Sequence, residues 1–310
     1  MFKYFLSINI DMSSQEGGYS MKMFQSGDCS PGVDLSNGSC LDDELIIKIA
    51  KVINKMSKKN DRIEPIRCDK DTRSIHECIC RNISKISECS SEACILTVRE
   101  IIDHLGSHSE DFKSSFRPIM PKKWVEDYNE WLTTSDIENV LNQYMEGDPS
   151  FYFYGAVPID FANCSVSNLC SIDVKKHLHK KQDKIGIVFN TDPHTKGGKH
   201  WLSMYIDLSG KSLHGHPSMY YFDSYGRKPP KEIKHLIKKV LKQSKKHKMG
   251  IQYLYNDEEY QQRESQCGVY SIHFVEQMLS GKTFHGFLND NLNDKKMIRY
   301  RNKYFINLDD

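Results

Sequence analysis

Four strand-like runs in the second half of the chain limit its fold more than any other feature. They lie within residues 184–256 and read KIGIVFNT, HWLSMYIDL, SMYYFDSYG and GIQYLYN. In the second run, apolar residues occupy alternate positions from Leu202 to Leu208, which predicts a strand with one buried face. A helix-like basic stretch, PKEIKHLIKKVLKQSKKHK, separates the third and fourth runs. The sequence therefore predicts an α+β fold, a sheet with helices packed on it.

The first part of the chain has a different pattern. Residues 12–40 are rich in Gly and Ser and lack periodicity, which indicates a flexible lead-in. Two helices are predicted after it, in CLDDELIIKIAKVINKM and SSEACILTVREIIDHLG, with a charged connector between them. Pro118 and Pro121 mark the best boundary. We therefore predict a mainly helical N-terminal arm with its lead-in over residues 1–120 and a core domain over residues 121–310.

One cysteine, Cys267, lies where a polar loop turns into a helix. The preceding stretch NDEEYQQRESQ is too polar for a buried helix, whereas apolar residues recur at helical spacing from Val269 to Leu279. Cys267 is thus predicted in the first helical turn, where free N–H groups and the helix dipole favour a negative group. A thiolate is such a group, and it is the reactive form of cysteine. The alternative is a small apolar side chain that fills a helix–sheet contact.

A cysteine nucleophile needs a base, a residue that orients the base, and donors for the oxyanion. His200 stands at the start of one strand, Asp223 follows the next, and Gln261 and Gln262 come shortly before Cys267. Because strand ends share an edge of the sheet, the histidine and the aspartate can be neighbours there. Each residue alone has an ordinary explanation in a loop or turn. Their joint order favours a catalytic site.

Three segments, GKHWLSMYIDL, MYYFDSYG and YQQRESQCGVYSIHF, resemble the cysteine proteases that share a fold with adenovirus maturation protease and the SUMO-deconjugating enzymes. The chain is more similar still to the polyprotein-processing proteases of large DNA viruses, the African swine fever virus type, through VFNTD and WLTTSDIENVLNQY. The resemblance implies the ubiquitin-like-protein-protease fold, with a central mixed sheet. It also implies a cysteine endopeptidase that cleaves viral structural polyproteins after Gly-Gly, in Gly-Gly-Xaa sites, during virion maturation.

The resemblance assigns roles to four residues of this sequence. Cys267 is expected to be the nucleophile, His200 its base, and Asp223 the residue that orients the base. Gln261, six residues before Cys267, is the expected oxyanion donor, with Gln262 as the alternative.

Trp201 and Gly268 are the expected substrate-binding residues. Trp201 packs on the histidine or forms a wall of the cleft, unless it is a plain aromatic at the sheet edge. Gly268 lets the helix start close to the loop. The swine fever type has Asn as the third catalytic member, whereas this chain has Asp223, like the SUMO proteases. A carboxylate stabilises an imidazolium more than an amide does.

Other functions remain open at this point. A protease that removes SUMO or another ubiquitin-like modifier uses the same chemistry, and a non-catalytic scaffold that binds nucleic acid or a virion core is a second alternative. The flexible lead-in contains Gly17-Gly18-Tyr19, so self-trimming is also an open hypothesis.

The net charge is only +2, but basic residues are concentrated in one place. From Arg227 to Lys248 there are ten Lys and Arg residues against one acid, Glu232. Such a run is typical of a solvated helix face. The alternative interpretation is a surface that binds nucleic acid or a virion core, with an affinity that falls steeply with salt.

The ten cysteines raise the question of compartment. The chain has no recognisable signal peptide and no apolar stretch long enough to span a membrane, so we expect no membrane partner. The expected location is the host cytoplasm, in the viral factory, and the virion. In a reducing compartment the cysteines are expected to be free thiols, metal ligands or catalytic groups rather than disulfides. HECIC lacks the C-x₂-C spacing of zinc sites, so no metal and no cofactor is predicted.

Overall fold

The structure is a computed structural model. It describes residues 28–33, 35, 38–67, 69–87, 91–127, 129–210 and 215–308. The lead-in as far as residue 27, with its Gly17-Gly18 pair, lies outside the described residues.

A five-stranded sheet forms the centre of the second half, in the order β1-β2-β3-β4-β5. The outer pairs β1–β2 and β4–β5 are parallel, whereas β2–β3 and β3–β4 are antiparallel, so the predicted mixed sheet is confirmed. The strands are β1 (Phe151–Val157), β2 (Lys184–Asn190), β3 (Trp201–Asp207), β4 (Ser218–Phe222) and β5 (Gln252–Tyr255).

Eleven α-helices are found among the described residues. They are α1 (Asp43–Met56), α2 (Thr72–Ile86), α3 (Arg99–Leu105), α4 (Ser109–Ser114), α5 (Lys122–Glu126), α6 (Thr134–Gly147), α7 (Val174–His179), α8 (Lys231–Lys246), α9 (Cys267–Leu279), α10 (Phe284–Leu288) and α11 (Asp294–Tyr304).

Strand β3 is buried on both faces, so the prediction of one buried face is wrong. Tyr205 belongs to a core that includes Val269 and Val275 of α9. Met204 belongs to a second core on the opposite face, which includes Ile233 of α8. Alternate side chains of a strand point to opposite faces, and helices cover both faces of this central strand. The alternating pattern was misleading because the opposite face of the strand has few polar residues.

The arm is helical as predicted, but its helices differ in detail. The connector contains α2, which buries Ile75, Ile79 and Ile83 on one face although most of its other residues are polar. The second predicted helix is broken at Val98, whose extended backbone separates a 3₁₀ turn from α3. Helix α6 begins at Thr134, with Thr133 as its N-cap. A connector that is mostly polar can contain a helix with a short apolar stripe. The exact end of a helix is uncertain by about a residue when it is predicted from sequence.

The expectation that the cysteines form no disulfides is wrong: among the described residues, Cys94 and the members of two pairs are disulfide-bonded. Cys29 is bonded to Cys40, and Cys164 to Cys170. Folding brings the Cα atoms of these pairs to 5.0 and 5.2 Å, within the range that a disulfide spans. In the described part of the chain, the free cysteines are Cys78, Cys80 and Cys267.

The two parts of the chain contact each other at several places, among them a short parallel bridge. The arm core holds buried residues from Cys40 to Phe116 together with Ile306 from the C-terminus, whereas the core on α9 begins at Met120. Ile306 pairs with Ile119 in a parallel bridge. The boundary at residue 120 stays a prediction, and Met120, the last residue of the predicted arm, belongs to the core on α9.

Buried polar groups in the arm form one network around Glu92. Its carboxylate accepts hydrogen bonds from Ser39 Oγ at 2.5 Å and from the Cys40 N–H at 3.0 Å, and it lies 2.8 Å from His76 Nε2. Among the described residues, Glu92, Cys29 and Cys40 are the group with metal-ligand atoms close together, but the two sulfurs are bonded to each other. Over the same residues, the helices are too short or too polar to cross a bilayer.

Candidate active site

Cys267 is the first residue of α9, as predicted. It is a free cysteine with 1% of its surface exposed. The polar segment before it stays out of the helix, and the apolar stripe from Val269 packs on the sheet. The sulfur therefore lies at the positive, N-terminal end of a helix of 13 residues.

The sheet topology brings His200 and Asp223 together. His200 directly precedes β3, and Asp223 directly follows β4. Because β3 and β4 are antiparallel, with Ser203 paired to Phe222, the start of one strand and the end of the other lie at the same edge. His200 Nε2 is 2.7 Å from Asp223 Oδ1, and both side chains are buried.

Because His200 Nε2 contacts Asp223, the other ring nitrogen is available to Cys267. Burial lowers the pKa of His200, but the hydrogen bonds and negative charges of Asp223 and Cys267 outweigh burial and raise the pKa to about 9. The ring of Tyr225 lies against the imidazole, with 4.8 Å between the ring centres. At neutral pH the site therefore favours an imidazolium, held between a carboxylate and the sulfur.

Asp223 is itself held by neighbours that the sequence did not single out. Its Oδ1 accepts a hydrogen bond from the Tyr225 N–H at 2.9 Å. Asn256, directly after β5 and buried, accepts from the Asp223 N–H at 2.9 Å and donates to the Asp223 carbonyl at 2.7 Å. The only sequence signal for Asn256 is its place at the end of the last strand-like run.

Gln261 is fully buried next to this cluster, whereas the side chain of Gln262 is exposed. The Gln261 Oε1 accepts a hydrogen bond from Ser224 Oγ at 2.7 Å. Its Nε2 donates to the carbonyl of Arg263 and lies 3.3 Å from the Tyr225 hydroxyl. Of the two glutamines, Gln261 is therefore the one whose amide faces the site.

Two cavities meet at Trp131, a residue that the sequence analysis did not nominate. The smaller, of about 510 Å³, is lined by His200 and Asp223, and the larger, of about 790 Å³, by Trp201. Trp131 lines both cavities and is 39% exposed, although it is a large aromatic residue. Exposed aromatic side chains beside clefts are typical of ligand contact.

Trp201 and Gly268 both contact the residue after Trp131. Trp201 Nε1 donates to the Leu132 carbonyl at 2.9 Å, so this tryptophan supports the wall of the larger cavity. A Cβ added to Gly268 would come within 2.8 Å of the Leu132 Cβ. Gly268 thus allows the close approach of α9 to Leu132. It is not among the residues that line either cavity.

Comparison with known proteins agrees with this geometry. Residues 163–310 match the Ulp1 protease family, C-terminal catalytic domain. A thiol protease of Acanthamoeba polyphaga mimivirus is 31% identical over 295 residues, which cover 90% of this chain and 93% of that protein. The chain belongs to the Ulp1 protease family. This Ulp1-family member is a cysteine protease, so the expected enzyme class is confirmed and the non-catalytic scaffold is set aside.

More distant relatives extend the likeness over most of the chain. The cysteine protease of African swine fever virus is 21% identical over 230 residues, which cover 70% of this chain and 83% of that protein. Its crystal structure superposes with a TM-score of 0.64 over 92% of this chain and 98% of that chain, at 18% identity. The expected fold and the expected similarity to viral cysteine proteases of this family are therefore confirmed.

Proposed function

We propose that this Ulp1-family protease cleaves viral structural polyproteins after Gly-Gly, at Gly-Gly-Xaa sites, during virion maturation. The observation that carries the catalytic part is the His200–Asp223 pair beside Cys267 at the start of α9. We further propose that it acts in the host cytoplasm, in the viral factory, and in the virion.

In the proposed mechanism, Cys267 Sγ attacks the scissile carbonyl carbon as a thiolate, while His200 holds the proton. A C–S bond forms and the carbonyl oxygen becomes an oxyanion. The C–N bond then breaks, and the leaving amine takes the proton from His200. Water attacks the resulting thioester, gives one proton to His200 and releases the carboxylic acid with the free cysteine. Asp223 stabilises the imidazolium in the steps in which His200 carries the proton.

The oxyanion is proposed to accept hydrogen bonds from the Cys267 N–H and from Gln261 Nε2. Of the two contacts that Gln261 Nε2 makes in the free protein, the 3.3 Å contact to the Tyr225 hydroxyl is the weaker by its length. It is the contact that an oxyanion would replace. Loss of one such donor costs about 10²–10³-fold in rate in other enzymes.

The surroundings of Cys267 support the proposed preference for glycine. The sulfur-bearing residue is 1% exposed, so the substrate backbone has to reach it through a narrow passage. The Trp131–Leu132 segment beside this passage is fixed on both sides, by Trp201 through a hydrogen bond and by Gly268 through close packing. A rigid wall of this kind excludes side chains next to the scissile bond, and only glycine has none.

A peptide assay tests the proposal. Peptides with identical flanks and Gly-Gly-Xaa, Gly-Ala-Xaa or Ala-Gly-Xaa centres are incubated with wild type, Cys267→Ala, His200→Ala and, as a control, Cys78→Ala. We expect cleavage after Gly-Gly by wild type and the Cys78 variant alone, with the cut position read by mass spectrometry. Cleavage of a folded ubiquitin-like fusion but of no peptide would instead support the deconjugating alternative. No cleavage of either substrate would overturn the proposal.

The basic helix α8 is proposed to bind nucleic acid in the virion core. Its apolar stripe, which includes Ile233 and Val240, is buried, and its lysines are exposed. Gln243 of α8 accepts a hydrogen bond from the N–H of Val174 at 2.9 Å, so the short basic helix α7 lies beside it. The exposed lysines of this surface are Lys175, Lys176, Lys180, Lys181, Lys231, Lys234, Lys238, Lys239, Lys242, Lys245 and Lys246.

Retention on duplex DNA tests this surface. Lys238→Glu with Lys242→Glu is compared with the control Lys58→Glu with Lys59→Glu, which changes an exposed pair in the arm. Wild type and the control are expected to bind at low salt and to lose affinity steeply as salt rises, and the α8 variant to bind weakly throughout. Equal retention of all three proteins would remove α8 as the binding surface.

A further inference from the structure

The C-terminal helix α11 contacts loops on both sides of the Cys267 site. It lies on α9, where the Tyr304 hydroxyl is 3.0 Å from His273 Nδ1. From this base, Asp294 at one end of α11 reaches the loop that carries Gln261, and Arg301 near the other end reaches the segment that carries Trp131. We name these the Gln261 loop (residues 257–266) and the Trp131 segment (residues 129–133).

We infer that Asp294 and Arg301 are positioning residues: Asp294 fixes the oxyanion donor, and Arg301 fixes the wall of the substrate passage. The inference rests on the proposed function, because it takes its roles for Gln261 and Trp131 from there. Neither positioning residue lines the cavity that holds His200. Each acts through the backbone of residues next to Gln261 or Trp131 in the chain.

Asp294 holds the Gln261 loop by its backbone. Asp294 Oδ2 accepts hydrogen bonds from the Gln262 N–H at 3.0 Å and from the Arg263 N–H at 2.9 Å. The carbonyl of Arg263 is in turn the acceptor for Gln261 Nε2. A carboxylate that accepts two backbone N–H bonds is a strong, charge-assisted acceptor. Removal of this carboxylate therefore releases the backbone that orients the Gln261 amide.

The loop is held from the other side by Tyr270 of α9. Its hydroxyl lies 2.9 Å from the carbonyl oxygen of Tyr260 and 3.3 Å from Asp294 Oδ1. Asp294 thus joins the residue before Gln261, through Tyr270, to the two residues after it. The first turn of α9 and the Gln261 loop share one anchor, which keeps the proposed oxyanion donors in a fixed relation.

Arg301 holds the Trp131 segment in a different way. Its guanidinium is fully buried and stacks over the ring of Trp124, 4.7 Å from the ring centre. Nη2 donates to the Glu130 carbonyl at 2.7 Å, and Nε and Nη1 find no acceptor among the described residues. Glu130 directly precedes Trp131, so this bond fixes the backbone of the cavity wall.

The burial of Arg301 is costly, which is the main argument for a role. Burial lowers its pKa to about 10, against the charges of Asp136, Asp127, Glu130 and Cys267, which raise it. An apolar side chain of similar volume often stabilises a core as well as or better than a buried charge does. A buried cation with one hydrogen bond is therefore poorly explained by stability alone. The hydrogen bond with which Arg301 fixes the Glu130 carbonyl accounts for the burial of this cation.

Hydrogen exchange tests the inference without use of the reaction. In Asp294→Asn, amides of the Gln261 loop should exchange faster, with the Trp131 segment unchanged. In Arg301→Met, amides of the Trp131 segment should exchange faster, with the Gln261 loop unchanged. The matched controls are Glu259→Gln and Arg299→Met, which change exposed charges on the same loop and the same helix, and both should exchange like wild type.

Kinetics on a cleaved peptide then separates the two roles. Asp294→Asn should lower kcat by about 10-fold to 10²-fold with KM nearly unchanged, because an oxyanion donor acts in the transition state. Arg301→Met should raise KM about 10-fold with a smaller effect on kcat, and Arg301→Lys, which keeps a donor, should restore KM in large part.

Three results would overturn the inference. The first is exchange that rises across the whole core domain in both variants, which indicates a purely structural role. The second is exchange that stays at the wild-type level in both loops. The third is a loss of activity that Arg299→Met shares with Arg301→Met. If wild type cleaves no peptide, the proposed function fails, and the exchange experiment still decides whether α11 holds the two loops.

Discussion

His200 Nε2 lies 2.7 Å from Asp223 Oδ1, although the two residues are 23 positions apart and belong to different strand ends. The antiparallel register of β3 and β4 creates this contact. It leaves the other ring nitrogen for Cys267 and sets the charge state of the imidazole. Asp223 and Cys267 together raise the pKa of His200.

The first prediction concerns the pH dependence of the enzyme. The pKa of His200 is raised to about 9, so the imidazolium persists at neutral pH and is lost as the pH rises through about 9. We expect kcat/KM of wild type to fall above about pH 9 and the fall to begin at a lower pH in Asp223→Ala, with a rate at pH 7 lower by about 10²-fold. A pH–rate profile checks this.

The same shift contributes to stability with a definite sign. Because the folded-state pKa exceeds the unfolded value of about 6.5, the contribution is fully present below about pH 6.5 and disappears as the pH rises through about 9. If the fall of kcat/KM at alkaline pH begins at the same pH in Asp223→Ala as in wild type, this account is wrong.

The second prediction concerns Asn256. Its side chain makes one hydrogen bond to the N–H and one to the carbonyl of Asp223. Asn256→Ala should leave these two buried groups without their partner, which costs about 1–3 kcal/mol for each group in stability, and should lower kcat because Asp223 loses its position. Thermal unfolding and steady-state kinetics measure both effects. Wild-type kcat in a folded variant would show that Asp223 is held by other means.

The third prediction concerns Gly268. The side chain of Gly268→Ala would meet the Leu132 Cβ at 2.8 Å. We expect a loss of about 1–3 kcal/mol in the free energy of unfolding, as for other overpacked sites, and a higher KM because Leu132 moves together with Trp131. The control is Gly250→Ala, whose added Cβ meets no atom within 4 Å. Equal unfolding midpoints for the two variants would refute the close packing.

The fourth prediction concerns Trp131. Trp131→Ala should raise KM about 10-fold or more while the unfolding temperature changes little, because the side chain is 39% exposed and lines both cavities. Tyr255→Ala is the control, since this aromatic residue on the edge strand β5 is 38% exposed. If both variants keep the wild-type KM, Trp131 does not contact the substrate.

The fifth prediction concerns the disulfides. Cys164→Ala with Cys170→Ala should lower the free energy of unfolding by about 2 kcal/mol, whereas the control Cys78→Ala should have little effect, because Cys78 is not disulfide-bonded. Alkylation of unreduced, unfolded protein followed by mass spectrometry should leave Cys164 and Cys170 unlabelled. Full labelling of both would return them to the free thiols that the sequence predicted.

Much of the fold could be predicted from the sequence because local patterns determine it. The strands β2 to β5, the helices α1, α8 and α9, and the position of Cys267 at a helix start all follow from apolar periodicity and polar breaks. The positions of His200, Asp223 and Cys267 also followed, since each stands at the end of a recognisable element, whereas Gln261 lies within a loop and was expected only from the resemblance to a known family. These are properties of short segments, which the sequence determines by itself.

Only the tertiary structure decided how these segments meet. It buried both faces of β3, joined Cys29 to Cys40, and placed Asn256 behind Asp223. It also brought α11, far along the chain, under the loops of the site. Such contacts depend on packing between elements that are distant in sequence, and no local sequence pattern indicates which residues will meet. The sequence determines which residues carry the chemistry of the site. The fold determines which other residues hold them in place.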